Sequence, residues 1–107
     1  MTNTDAADKT SSALAALWLR NRPLLEERLT TLHHAAEAAA VGSLTEELRE
    51  DAADTAHRLA GSLGMYGFPR GTRIARQLEL LLDYPTPDPT QLAILCAELR
   101  QTLFPDP

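Results

Sequence analysis

Apolar residues recur every three or four positions in five stretches of the chain, which is the spacing of amphipathic helices. The first stretch is short and covers residues 12–20. The second begins near Pro23, because proline fits the first turn of a helix, and it ends before Gly42. The pattern therefore predicts a short N-terminal helix followed by a longer one.

Three more helices follow along the chain. Ser43 and Glu46 stand three residues apart in the pattern of a capping box, which predicts a helix that starts near Leu44. The next helix is expected from about Arg70. Asp88 precedes the final apolar stretch and is predicted to cap the last helix with its side chain.

The sequence contains no run of alternating apolar and polar residues that would indicate a strand. Four amphipathic helices joined by short loops predict an all-α fold, an antiparallel up-down four-helix bundle over residues 11–104 with the short additional helix at its N-terminus. Residues 1–10 are polar, and we expect them to form a flexible N-terminus.

Composition excludes several classes of protein. The 107 residues carry a formal net charge of −5, which argues against a nucleic-acid-binding protein. A single cysteine, Cys96, cannot form an intramolecular disulfide or a cysteine metal cluster. No secretory signal and no apolar run long enough to span a membrane is present, so we expect a cytoplasmic protein without membrane contact or bound metal.

One face of the third helix carries unusually small residues around a histidine. On a helical wheel His57 lies opposite the apolar stripe, and Ala53, Ala60, Gly61 and Gly64 share its arc. Each glycine inside a helix costs about 1 kcal/mol relative to alanine. Close packing of a neighbouring helix would explain this face, and so would an accident of a marginal helix. The third explanation is a docking surface, where another molecule approaches the imidazole.

The run from residue 56 to residue 68, AHRLAGSLGMYGF, resembles the signature of histidine-containing phosphotransfer (HPt) domains. Its histidine is His57, and Gly67 and Phe68 stand ten and eleven positions later, where the family has a glycine and an apolar residue. The resemblance implies that His57 accepts a phosphoryl group from a receiver-domain aspartate and passes it to another receiver. The chain would then be a phosphoryl carrier and not an enzyme.

The same resemblance implies the partners, which are receiver domains of response regulators and of hybrid histidine kinases. Mg²⁺ is expected on the receiver, no cofactor is expected on this chain, and a monomer is the expected state. The sequence leaves open an alternative in the same fold, an adaptor that docks on a receiver domain or histidine kinase and regulates it without carrying phosphate.

Two further site residues follow from the resemblance. The family places a polar residue 22 positions after the histidine, which is Glu79 here, and this carboxylate would orient the imidazole. The family usually has a lysine three positions after the histidine, where this chain has Ala60. Arg76, with Arg58, is the candidate to supply the missing charge. The plain alternative for both Glu79 and Arg76 is an ordinary solvated surface residue.

Charge is unevenly distributed along this region. Residues 46–54 hold five acids and one arginine, whereas residues 55–78 hold four arginines and no acid. The pattern predicts a basic patch beside His57 that would attract an acidic receiver pocket, unless the arginines belong to a solvated face.

Overall fold

A computed structural model describes the backbone of residues 2–105 and the side chains of residues 12–105. Within that part the chain is all-helical and has no strand, which confirms the predicted fold class. The four helices are α1 (Thr2–Ala40), α2 (Glu46–Leu63), α3 (Pro69–Leu82) and α4 (Pro89–Leu103). The side chains of residues 1–11 lie outside the described part, and a flexible segment over residues 1–10 stays a prediction.

Each helix packs against two others, so the four helices surround one core. Helix α1 contacts α2 and α4, and α3 contacts the same two helices. The centre is filled by leucines from all four helices because each helix turns one apolar stripe inward. The largest side chains that are fully buried are Leu25, Leu32, Leu59, Leu63, Leu78, Leu82, Leu92 and Leu99.

Residues 12–20 are helical as predicted, but they form part of α1 and not a separate short helix. The predicted break near Pro23 is wrong, since this proline lies inside α1. A proline in a helix interior loses a hydrogen bond and costs about 3 kcal/mol. Packing offsets this cost, because Trp18 on the preceding turns lies 5.5 Å from Tyr66, 4.8 Å from Phe68 and 5.6 Å from Phe104, between ring centres.

Of the two predicted N-caps, one is confirmed and the other is wrong. The capping box at Ser43 is wrong, because the N-cap of α2 is Thr45, two residues later. The Thr45 hydroxyl accepts a hydrogen bond from the backbone N–H of Leu48 at 3.1 Å. Asp88 caps α4 as predicted, and its carboxylate accepts the backbone N–H of Thr90 at 2.9 Å.

A hydrogen bond joins the start of α2 to the end of α3 and helps to set the register of this helix pair. The Arg49 guanidinium donates to the carbonyl oxygen of Leu82 at 2.6 Å and also pairs with Glu46. The pairing with Arg49 lowers the pKa of the Glu46 carboxyl.

Among the described residues, no helix combines the length and the hydropathy that crossing a membrane requires.

Candidate functional site

His57 lies in the middle of α2 on the face that the helix turns away from the core. Its side chain is 74% exposed, whereas its neighbours Ala56 and Leu59 are fully buried. The inward face of α2 is apolar, so burying it leaves the imidazole outside. The ring is therefore open to another molecule.

A carboxylate from α3 holds one side of this ring. His57 Nδ1 lies 2.8 Å from Oε1 of Glu79, whose side chain is 36% exposed. A carboxylate only accepts hydrogen bonds, so Nδ1 carries the proton and donates it. The neutral ring then keeps its lone pair on Nε2. The structure thus brings together the two residues that the resemblance pairs, and it leaves the second nitrogen as the free base.

A groove of about 780 Å³ between α2 and α3 contains this pair. Three of the four small residues predicted around His57 line it, namely Ala53, Ala60 and Gly61. Gly64 does not line it and forms the C-terminal cap of α2. The small side chains leave room beside the imidazole for a group from outside.

The two candidate cations are placed differently. Arg76 lines the groove together with His57 and Glu79. Arg58 is exposed and is not part of the lining. The position where the family usually has a lysine is Ala60, which is only 8% exposed.

The groove corrects the prediction of a basic patch at the histidine. Its ionisable lining, apart from the histidine, consists of Asp54, Glu79 and Asp83 with a single cation, Arg76, among the described residues. A sum of charges along the sequence ignores that successive helical residues point about 100° apart. The face that carries His57 therefore includes acids that precede it in the chain and only some of the arginines that follow it.

Gly61 has no packing role inside the molecule. A Cβ atom built on it would meet no other atom within 4 Å, apart from its chain neighbours and the backbone of its own helix. At Gly64 the nearest contact would be Thr72 Oγ1 at 3.9 Å, an ordinary distance. Close approach of a neighbouring helix, one of the two plain explanations for the small face, therefore does not account for Gly61.

Sequence reasoning missed Leu80, which lines the same groove with 69% of its surface exposed. The sequence indicates that this leucine is exposed, because Leu80 lies about 200° around α3 from the buried Leu78. It also missed Asp54 and Asp83 as groove residues. The described residues contain no group of three or more His, Cys, Asp or Glu side chains placed to hold a metal ion.

Most of the chain is similar to known proteins. The family model described as Hpt domain matches residues 22–103. Over 78 residues the chain is 31% identical to Protein RcaC of Microchaete diplosiphon, an alignment that covers 73% of this chain and 12% of RcaC. No solved structure matches. The chain belongs to the Hpt domain family, whose members are phosphocarrier modules, not kinases, that work with receiver domains in two-component phosphorelays.

Proposed function

We propose that this chain carries a phosphoryl group on His57 between two receiver domains. The observation that carries the proposal is the 2.8 Å contact of His57 Nδ1 with Glu79, which leaves Nε2 as a free base on a side chain that lines the groove. A neutral imidazole is a nucleophile, because one of its ring nitrogens keeps a lone pair. Its exposure lets the aspartyl phosphate of a partner reach it.

In the transfer step Nε2 of His57 attacks the phosphorus atom of the partner's aspartyl phosphate. The new P–N bond forms while the P–O bond to the aspartate breaks, and the aspartate leaves as a carboxylate. The ring becomes positively charged because it keeps the proton on Nδ1. Glu79 stabilises that charge and holds the ring orientation. Attack by the aspartate of a second receiver reverses the step, and Mg²⁺ is expected on the receiver.

Arg76 is the cation that we assign to the phosphoryl group. It lines the groove, whereas Arg58 does not. At a separation of about 7 Å in water, a single charge stabilises a dianion by roughly 1 kcal/mol, which is about fivefold in an equilibrium constant. Arg76→Ala is therefore expected to shift the equilibrium between phosphorylated chain and phosphorylated receiver about fivefold toward the receiver. Arg73→Ala is the matched control, because Arg73 is exposed on the same helix outside the groove. An equal effect of both variants would contradict this role.

The adaptor remains the second candidate because of the charges in the groove. Ala60 provides no cation, and three carboxylates, Asp54, Glu79 and Asp83, share the groove with one arginine. Carboxylates disfavour a dianionic phosphoryl group by like-charge repulsion. A protein that docks on a receiver and takes no phosphate would tolerate this arrangement. The cytoplasmic location and the monomeric state stay predictions from the sequence.

Transfer from radiolabelled, phosphorylated receiver domains tests the proposal. The chain is expected to take up a label that acid removes and base does not, and His57→Gln is expected to abolish it. His34→Gln is the matched control, since His34 is also exposed but lies on α1. Binding of a receiver without any label would favour the adaptor, and a label that survives in His57→Gln would contradict the assigned residue.

A further inference from the structure

The three carboxylates in the groove of His57 differ in the charges that lie next to them. Glu79 is hydrogen-bonded to the imidazole, so the positive charge that the ring gains on phosphorylation falls directly beside it. Asp83 lies near Arg49. Pairing with Glu46 raises the pKa of the Arg49 guanidinium, and the charges of the nearby acids, Asp83 among them, raise it further. Two of the three carboxylates thus have a positive charge close by.

Asp54, the third carboxylate, has a different environment. It is exposed on α2 three residues before His57, which places the two Cβ atoms about 5–6 Å apart. It forms no ion pair within the described part of the chain, although Arg58 follows it by four residues. Arg76 lies on the other side of the imidazole, because it precedes Glu79 by three residues on the antiparallel helix α3. The groove is therefore negative on one side of the ring and positive on the other.

We propose that Asp54 sets the balance of the transfer reaction by disfavouring the phosphorylated form of His57. The proposal rests on the proposed function, because it concerns the phosphoryl group on the same histidine. Asp54 acts through its charge alone and takes part in no bond that forms or breaks. With this carboxylate in place the equilibrium lies closer to the phosphorylated receiver, so the chain passes the phosphoryl group on and does not store it.

The size of the effect follows from the charge that the groove gains. Phosphorylation adds two negative charges on the phosphoryl oxygens and leaves one positive charge on the ring, so the net gain is one negative charge. At a separation of about 7 Å in water, one carboxylate changes the equilibrium constant for such a gain about threefold, and more where the protein lowers the dielectric constant. Both groups are in contact with solvent, so salt screens the repulsion.

A series of charges at position 54 tests this role. The wild-type chain is compared with Asp54→Asn and Asp54→Lys. Asp51→Asn and Asp51→Lys are the matched controls, because Asp51 is exposed on the same helix outside the groove, with its Cβ atom about 11 Å from that of His57. Circular dichroism checks that each variant is folded.

Each chain is mixed with a phosphorylated, radiolabelled receiver at concentrations well below the Kd of their complex. The label on chain and receiver is measured at equilibrium, in about 0.01 M and about 1 M salt. Equilibrium is the quantity of choice, because a change in docking alters how fast it is reached and not where it lies. Phosphoramidate serves as a second donor that needs no receiver.

We expect Asp54→Asn to shift the equilibrium at low salt about threefold or more toward the phosphorylated chain. Asp54→Lys is expected to shift it about tenfold or more, because lysine removes a negative charge and adds a positive one. At about 1 M salt both shifts are expected to fall below about 1.5-fold. The two Asp51 variants are expected to stay within about twofold of wild type, since their charge is farther from the ring.

Two results would overturn the proposal while the proposed function stands. One is an equilibrium that stays at the wild-type value in both Asp54 variants. The other is a shift that the Asp51 variants share or that salt does not reduce, which would make it an effect of net charge or of structure.

The two proposals can also fail separately in the other direction. If the wild-type chain takes no label but Asp54→Lys does, the proposed function fails for this chain, the adaptor is favoured, and the repulsion assigned to Asp54 is confirmed. If neither donor labels any of the five proteins, both proposals fail.

Discussion

Replacing Gly61 by alanine separates the stability of the fold from the use of its surface. Gly61 lies two residues before the end of α2, and its φ is not in the left-handed region. Apart from its chain neighbours and the backbone of its own helix, the added methyl group would meet no atom within 4 Å. The fold therefore permits the usual gain in stability when alanine replaces glycine in a helix. This gain is about 1 kcal/mol in the free energy of unfolding. For a domain of this size such a gain raises Tm by roughly 4 °C.

Gly71→Ala is the control, because the same substitution meets a crowded site. A Cβ atom on Gly71 would lie 3.2 Å from Leu63 Cδ1 and 3.4 Å from Leu103 Cδ2. Contacts this close require the neighbours to move, which offsets the gain in helix propensity. We therefore expect Gly71→Ala to be less stable than Gly61→Ala.

Urea denaturation followed by circular dichroism measures both variants against the wild-type chain. The methyl group of Gly61→Ala points into the groove of His57, so receiver-driven transfer is expected to slow while stability rises. A Gly61→Ala protein that is less stable than wild type would refute the conclusion that this glycine has no packing role. Equal stability of the two variants would refute the distinction drawn between them.

Three further predictions follow from the described contacts. Leu78→Ala, at a fully buried position, is expected to destabilise the fold by about 2–5 kcal/mol, whereas Leu80→Ala, at an exposed position, changes it by less than about 0.5 kcal/mol, as denaturation would show. Asp88→Ala removes the N-cap of α4 and is expected to cost about 1 kcal/mol, and Asp88→Asn is expected to restore most of it. Burial raises the pKa of the Cys96 thiol to about 11, so iodoacetamide at pH 8 should modify the folded chain about 100-fold more slowly than the unfolded chain. The same shift means that stability falls as pH rises from about 9 toward 11, because the unfolded thiol ionises first.

The positions of the helices followed from the sequence because they depend on local rules. Apolar periodicity gave the type of the elements and the four helices of the bundle, but not the continuity of α1 through Pro23. The Asp88 cap followed from a short-range pattern of residue types. The exposure of His57 followed from the same periodicity, since burying the apolar stripe of α2 turns the opposite arc outward. Pairing with Glu79 came from the resemblance to HPt domains, and the structure places those two side chains at 2.8 Å.

Features that depend on contacts between helices were decided only by the tertiary structure. The helix continues through Pro23 because Trp18 packs against three aromatic rings that come from distant parts of the chain. The charge around His57 depends on which faces of α2 and α3 meet, and this brings Asp83 into the groove and leaves Arg58 outside it. The exposure of Leu80 points to the groove only when its neighbours from α2 are known. A surface is formed by residues from several helices, whereas a sequence pattern describes one helix at a time.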